Sequence, residues 1–391
     1  MEYIYTAEAS VKWNMTLYQV EEACRKKRIP GALEQNGDWL VPADARRPVS
    51  RCCPFLSMTN LYSAPGSADH VAEVLPPDEA LLFRAQLAYY RGEIDVACAA
   101  SRRCLNQDSD LNTHIGTGMI LSLVAMYRGD KHLWQEAMSY IEAAPCHNTE
   151  DEEQRLFWLA AASSAIYDTK SFPDWFQRGS FEHLPVDSYP SAYFFYIKQL
   201  LVFCQETAVL WKLDSKQLST LRVIPAIAEP LISQAQADGA LLPEIYLRLL
   251  CAVGLHDCGD AALASIHVDR AIELALPDRL LSPLAEYRRQ LHFLMDDRLR
   301  KISPEAVSKV RALNKKLLHG WVKLHNAVLD RTVSNELTVR EHEVARLATV
   351  GLSNQEIAER LNLTVSTIKQ TLHNVMNKTD TKNRRELNKH L

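Results

Sequence analysis

Leu337-Thr338-Val339-Arg340-Glu341, Gly351-Leu352-Ser353-Asn354-Gln355-Glu356-Ile357-Ala358 and Thr364-Val365-Ser366-Thr367-Ile368-Lys369-Gln370 divide the end of the chain into short helices. Thr338 with Glu341, and Ser353 with Glu356, have the spacing of capping boxes, in which hydroxyl and carboxylate satisfy each other's backbone N–H groups. Thr364 is the N-cap of a third helix, Val365 to Lys378, and Gly351 suits the left-handed turn that closes the first. Val344, Leu347 and Ala348 face inward on the first helix, and Ile357, Ala358 and Leu361 on the second. Asn362-Leu363 makes the tight turn before the third. Two short helices joined by such a turn, with another behind them, have helix-turn-helix geometry.

The third helix has two faces. Ile368, Leu372 and Val375 recur at spacings of four and three and belong to the core. Ser366, Lys369, Gln370, His373 and Asn377 fall on the opposite side. Lys and Gln suit base edges, Ser and Asn suit phosphate; a solvated face is the ordinary alternative.

The frame resembles the LuxR-type DNA-binding domain. The resemblance rests on Leu337-Thr338, Arg340-Glu341, Glu343-Val344, Gly351, Ser353-Asn354, Glu356-Ile357-Ala358, Thr367-Ile368-Lys369 and Lys378, and covers nearly all of 336–391. It implies a four-helix domain whose third helix enters the major groove of double-stranded promoter DNA, usually as a dimer. It also implies DNA contacts from Ser353, Asn354, Thr364, Ser366, Thr367, Lys369, Gln370, His373, Asn377, Lys378 and Arg384. Two positions depart from the family pattern: Thr371 stands in place of His, and Thr379 in place of Leu.

A second small module is expected at the other end, over residues 1–50. Thr6 caps a helix through Trp13. Thr16-Leu17-Tyr18-Gln19 opens another to Lys27, with Val20, Ala23 and Cys24 inward. Arg28 to Leu33 and Trp39 to Val41 alternate as strands around Asn36-Gly37, a hairpin dipeptide. Pro42-Ala43-Asp44 is expected to start a helix. On Arg28-Ile29-Pro30-Gly31-Ala32, Trp39-Leu40-Val41-Pro42 and Ala45, the segment resembles the winged helix-turn-helix of the MerR and excisionase type. Its wing tip, Glu34 to Asp38, is acidic, whereas a wing that grips phosphate should be basic. A basic cluster runs beside it from Arg25 to Arg28. A second DNA contact through Thr16, Gln19, Arg25, Lys26 and Arg28 and a protein-docking role both stay open.

Between the ends the pattern is helical. Residues 51–75, with interspersed Pro, Ser and Gly, read as a linker, and Arg331 to Asn335 as a shorter break. Tyr90-Arg91-Gly92-Glu93 returns as Tyr127-Arg128-Gly129-Asp130, and more loosely as Leu255 to Asp260. Helix pairs of this length with Gly at the hairpin resemble tetratricopeptide repeats, over a domain spanning 76–330. The stretch from His267 to Asp278 resembles the helical region of MalT-like regulators. Trp158, Trp175, Phe176, Tyr189, Tyr193, Phe194, Phe195, Tyr196, Phe203 and Trp211 form an aromatic belt: either the lining of an effector pocket or, by their helical spacing, plain core. Val307, Val310, Asn314, Leu317, Trp321, Leu324 and Val328 have the spacing of a dimer seam with one register-setting Asn; Leu313 and Leu318 widen that face, which favours a helix capping the repeat stack.

The chain has 391 residues, with 44 Lys+Arg against 48 Asp+Glu and a formal net charge of −4. The balance is uneven: +1 over 1–51, −7 over the middle and +2 over 334–391. Apolar residues make up 47%, as in a folded globular protein. No phosphate loop, dinucleotide fingerprint, HExxH or GxSxG occurs, so no enzyme activity and no cofactor are expected. The nine cysteines have no CxxC pair and no zinc-like spacing with His. Adjacent Cys52-Cys53 read as reduced thiols, and no metal site is expected. With neither a basic leader followed by an apolar run nor a membrane-length apolar stretch, a cytoplasmic location is expected.

The fold expected is therefore mainly α: a repeat-like helical domain between an N-terminal winged module and a C-terminal four-helix DNA-binding domain. The function expected is transcription regulation, with a homodimer, a small-molecule effector on the central domain and RNA polymerase as partners. The alternative is a protein-interaction scaffold whose DNA binding is secondary.

Overall fold

The computed structural model describes residues 2–13, 17–25, 29–45, 48, 62–75, 77–106, 109–166, 171–184, 188–210, 223–329, 337, 339–361, 363–379 and 381–389. Among them, buried apolar side chains form three separate clusters, one near each end and a large one between.

At the N-terminal end, β1 (Tyr3–Tyr5), α1 (Thr6–Trp13), α2 (Leu17–Arg25), β2 (Leu33–Gln35) and β3 (Asp38–Pro42) surround Ala9, Trp13, Val20, Cys24, Ile29 and Val41. The sheet is antiparallel in the order β1-β3-β2, with Ile4 opposite Val41 and Glu34 opposite Trp39. Asn36 and Gly37 both adopt positive φ, 55° and 88°, as the hairpin dipeptide predicts. Three expectations shift. β1 was not foreseen, since three residues are too few to show a period. The strand expected from Arg28 begins at Leu33. No helix starts at Pro42: the N–H of Ala43 donates to the Glu2 carbonyl, and that of Ala45 to the Pro42 carbonyl, so the chain ends its strand in a turn.

The middle is a succession of helices: α3 (Ala68–Val74), α4 (Pro77–Tyr90), α5 (Ile94–Arg102), α6 (Leu111–Arg128), α7 (Lys131–Glu142), α8 (Thr149–Ser164), α9 (Asp174–Gln177), α10 (Tyr189–Leu210), α11 (Val223–Ala237), α12 (Leu241–Asp257), α13 (Ala261–Ala275), α14 (Leu281–Ile302) and α15 (Pro304–Leu329). Gly92, Gly129 and Gly259, the glycines of the internal repeat, turn the chain at positive φ between α4 and α5, α6 and α7, and α12 and α13. Asp130 and Asp260 then cap the helices that follow.

The second half of the expected linker is packed instead. Tyr62 is buried, and its hydroxyl donates to the Asp278 carboxylate. That carboxylate also accepts the N–H groups of Gly66 and Ala68, satisfying orphan donors at the start of α3. A buried Asp so far along the chain is a partner the local composition could not reveal. Residues 51–61, with Cys52-Cys53, and the break at 331–335 lie outside the described residues.

The aromatic belt is core over its first half. Trp158, Phe176 and Phe195 are buried, and Phe172 stacks on Phe176 with ring centroids 4.2 Å apart. Trp211 and the side chain of Phe203 lie outside the described residues.

α15 is not a dimer seam. Val307, Val310, Asn314, Leu317 and Leu324 are buried within the chain. Asn314 donates to the Ala285 carbonyl (2.9 Å) and accepts from Arg288 (3.1 Å). Arg288 in turn forks onto Asp296, two bonds of 2.7 Å, and Arg311 reaches the same carboxylate. The Asn thus sets the register of α15 against α14, not against a second chain. Further along, Gly320 faces α6 so closely that a Cβ would overlap the carbonyl oxygens of Met126 and Tyr127.

At the C-terminal end, α16 (Val339–Thr349), α17 (Asn354–Leu361) and α18 (Val365–Lys378) close over Val344, Leu347, Ile357, Ile368, Leu372 and Val375. The expected fourth helix is a 3₁₀ turn, Glu386–Lys389, whose Leu387 plugs the cluster. Among the described residues, no helix is long and apolar enough to cross a membrane.

Gly320→Ala provides a sign test. In an ordinary helix interior the change would stabilise by about 1 kcal/mol; here overpacking should destabilise by about 1–3 kcal/mol. Urea denaturation should show the loss.

Candidate nucleic-acid interface

The helix-turn-helix owes its shape to local caps. Ser353 Oγ accepts the Glu356 N–H (3.2 Å), while Glu356 accepts the Ser353 N–H (2.7 Å), a closed capping box. Thr364 Oγ1 accepts the Thr367 N–H (3.1 Å) at the start of α18. Gly351 ends α16 at positive φ, as expected. Thr338 lies outside the described residues.

α18 buries Ile368, Leu372 and Val375 and exposes Ser366, Thr367, Lys369, Gln370, His373, Asn377 and Lys378. These side chains share one polar face. Gln370 Nε2 donates to Asn374 Oδ1 (3.1 Å), and His373 Nε2 lies 3.2 Å from Asn377 Nδ2. Asn374 therefore joins this face; its spacing of four from Gln370 was the available signal. Thr371 turns its hydroxyl back to the Thr367 carbonyl (2.8 Å), and buried Thr379 does the same to Val375 (2.9 Å). Neither departure from the family pattern leaves a polar group unsatisfied.

Two of the expected contact residues have other partners. Arg384 is half-buried: it donates to the carbonyls of Ala348 and Leu352 and reaches Asn354 Oδ1 (3.4 Å). Its guanidinium braces the turn between α16 and α17, and Asn354 helps to hold it. Lys378 forms an ion pair with Glu341 across 2.8 Å, tying α18 to α16. Besides Lys378, Lys369, Lys382 and Arg385 are cations exposed on α18 and just beyond it among the described residues. Lys382 was not singled out in the sequence, because it belongs to no periodic stripe.

In the N-terminal module, Arg25 is exposed at the end of α2, and Glu34 to Asp38 are exposed on the hairpin. Thr16, Lys26, Arg28 and the side chain of Gln19 lie outside the described residues.

The domain also docks on the central helices, through residues that its own sequence pattern did not mark. Arg346 of α16 is buried and paired with Asp257 at the end of α12. Arg360 of α17 donates to the carbonyl oxygens of His256 and Asp257. A guanidinium at a helix C-terminus meets orphan carbonyls and the negative end of the dipole. Burial, with Arg346 and Arg360 nearby, pushes the His256 imidazole down to about 4.

Residues 335–391 match the family model described as bacterial regulatory proteins, luxR family. Comparison with curated proteins and with solved structures gives no match. The C-terminal segment is a LuxR-family helix-turn-helix domain.

The docked His256 has a pH consequence. Its folded value is depressed from the ordinary 6.5, so its contribution to stability is present above 6.5 and lost as pH falls toward about 4. Thermal melts of the full chain should show this decline between pH 6.5 and 4, and His256→Gln should flatten it.

Proposed function

We propose that the chain is a transcription regulator that reads promoter DNA with the polar face of α18 in the major groove. The observation that carries this reading is that Ser366, Thr367, Lys369, Gln370, His373 and Asn377 all lie exposed on one helix of a LuxR-family domain. Lys369 and Gln370 read base edges, and Ser353, Ser366 and Thr367 meet phosphate near helix N-termini. Asn354, Thr364, Lys378 and Arg384 act mainly by holding the frame. Lys382 and Arg385 add phosphate contacts beyond α18.

The module over 334–391 carries only +2, so one copy neutralises few phosphates and binds in a strongly salt-dependent way. We infer that two chains occupy one operator, which multiplies weak single contacts. The helices of 76–330, a tetratricopeptide-like stack, serve as the regulatory domain that receives a small-molecule effector. RNA polymerase is the partner at the promoter. The N-terminal winged module, with its acidic hairpin, supplies a second contact through Arg25 and its neighbours.

The test pairs genome-wide mapping of binding sites with a duplex made from the strongest site. Lys369→Ala with Gln370→Ala should lower affinity for that duplex by at least about tenfold, while the melting temperature stays within about a degree or two, as for exposed positions. An unchanged footprint from the double variant would remove α18 as the reading element.

A further inference from the structure

Away from the DNA-binding domain, one group of side chains has chemistry that the proposed function does not use. Glu229 on α11, Cys251 on α12 and His267 on α13 converge, and their ligand atoms all lie within 4.8 Å of one another. The three positions have no metal-binding spacing in the sequence; the packing of three successive helices brings them together.

The geometry points to a site for a zinc-class divalent transition-metal ion held by Cys251 Sγ, His267 Nε2 and a Glu229 carboxylate oxygen. Bonds of about 2.0–2.3 Å in a tetrahedral arrangement place neighbouring donors about 3.3–3.6 Å apart. Here Nε2 is 3.7 Å from Sγ and 3.1 Å from Oε1, and Sγ and the carboxylate oxygen lie within 4.8 Å of each other, so the half-exposed Glu229 side chain closes the shell by adjusting its position. The donor set also fits. Thiolate and imidazole select borderline and soft ions over calcium or magnesium, and a carboxylate completes a three-residue set.

The surroundings support the same assignment. Cys251 is fully buried and His267 nearly so, whereas the Glu229 side chain is 55% exposed. The cluster therefore has a rigid inner wall and one side open to solvent, where a water would fill the fourth position. A single ring nitrogen, Nε2, faces both the carboxylate and the thiol. A cation between the three groups would bond all of them at once. Arg248, the nearby cation, is held by Glu244 at 2.7 Å.

The experiment uses the full chain, reduced, stripped with a chelator and titrated with Co²⁺. The expected result is a saturable thiolate-to-cobalt charge-transfer band at one equivalent, displaced by Zn²⁺. Cys251→Ser should abolish the band, and His267→Gln and Glu229→Gln should each weaken cobalt binding by at least about tenfold. Glu229 is half-exposed, so its variant carries the test should a core substitution fail to fold. Absence of a saturable band overturns the site. So does a band unchanged by Cys251→Ser, which would place the ion on other cysteines, or a cobalt affinity unchanged by Glu229→Gln, which would remove Glu229 from the ligand set.

Discussion

Gly320 is the point on which the central domain turns. With no Cβ there, α15 lies against the carbonyl oxygens of Met126 and Tyr127 at the end of α6, closer than any side chain would permit. That crossing fixes where the rest of α15 falls. Leu313 fills the space over Gly92, and Lys323 the space over Gly129. Asn314 enters the polar network with Arg288 on α14. Trp321 and His325 bond the carbonyls of Ala165 and Ile166 just past α8. One helix thus runs across several helical hairpins, and their glycines are as much sites of close approach as turns.

Much of this was legible locally. Gly92, Gly129 and Gly259 announced their turns because left-handed backbone conformation is a property of single residues. Ser353 with Glu356 announced its cap because both partners lie within one helical turn. What escaped notice depends on residues far apart in the chain. Tyr62 looked like part of a linker because its partner, Asp278, is more than two hundred residues away. The α15 stripe fitted both a dimer seam and an internal contact, since periodicity gives the direction of an apolar face but not what covers it. β1 was invisible for a simpler reason: three residues cannot establish a period of two.

The candidate DNA-binding face divides along the same line. Its polar side, with Lys369, Gln370 and His373, follows from helical spacing and is exposed. Arg384 and Lys378 are cations of the same domain, yet one is spent on main-chain carbonyls and the other on Glu341. Charge alone could not separate cations aimed at solvent from cations that hold the domain together. Cys251 and His267 make the same point inside the central domain, where residues without motif spacing meet because three helices pack.

The docking of Arg346 and Arg360 on the end of α12 has a consequence for how the C-terminal domain is held. It engages α16 and α17 and leaves the polar side of α18 exposed. Among the described residues, docking therefore leaves Lys369, Gln370 and His373 uncovered, and the central helices do not lie over them as a lid. What the docking couples is orientation: whatever changes the end of α12 alters the free energy of holding the C-terminal domain in one position. Under the proposed function, the spacing of paired DNA sites would register that orientation more directly than the affinity of a single domain.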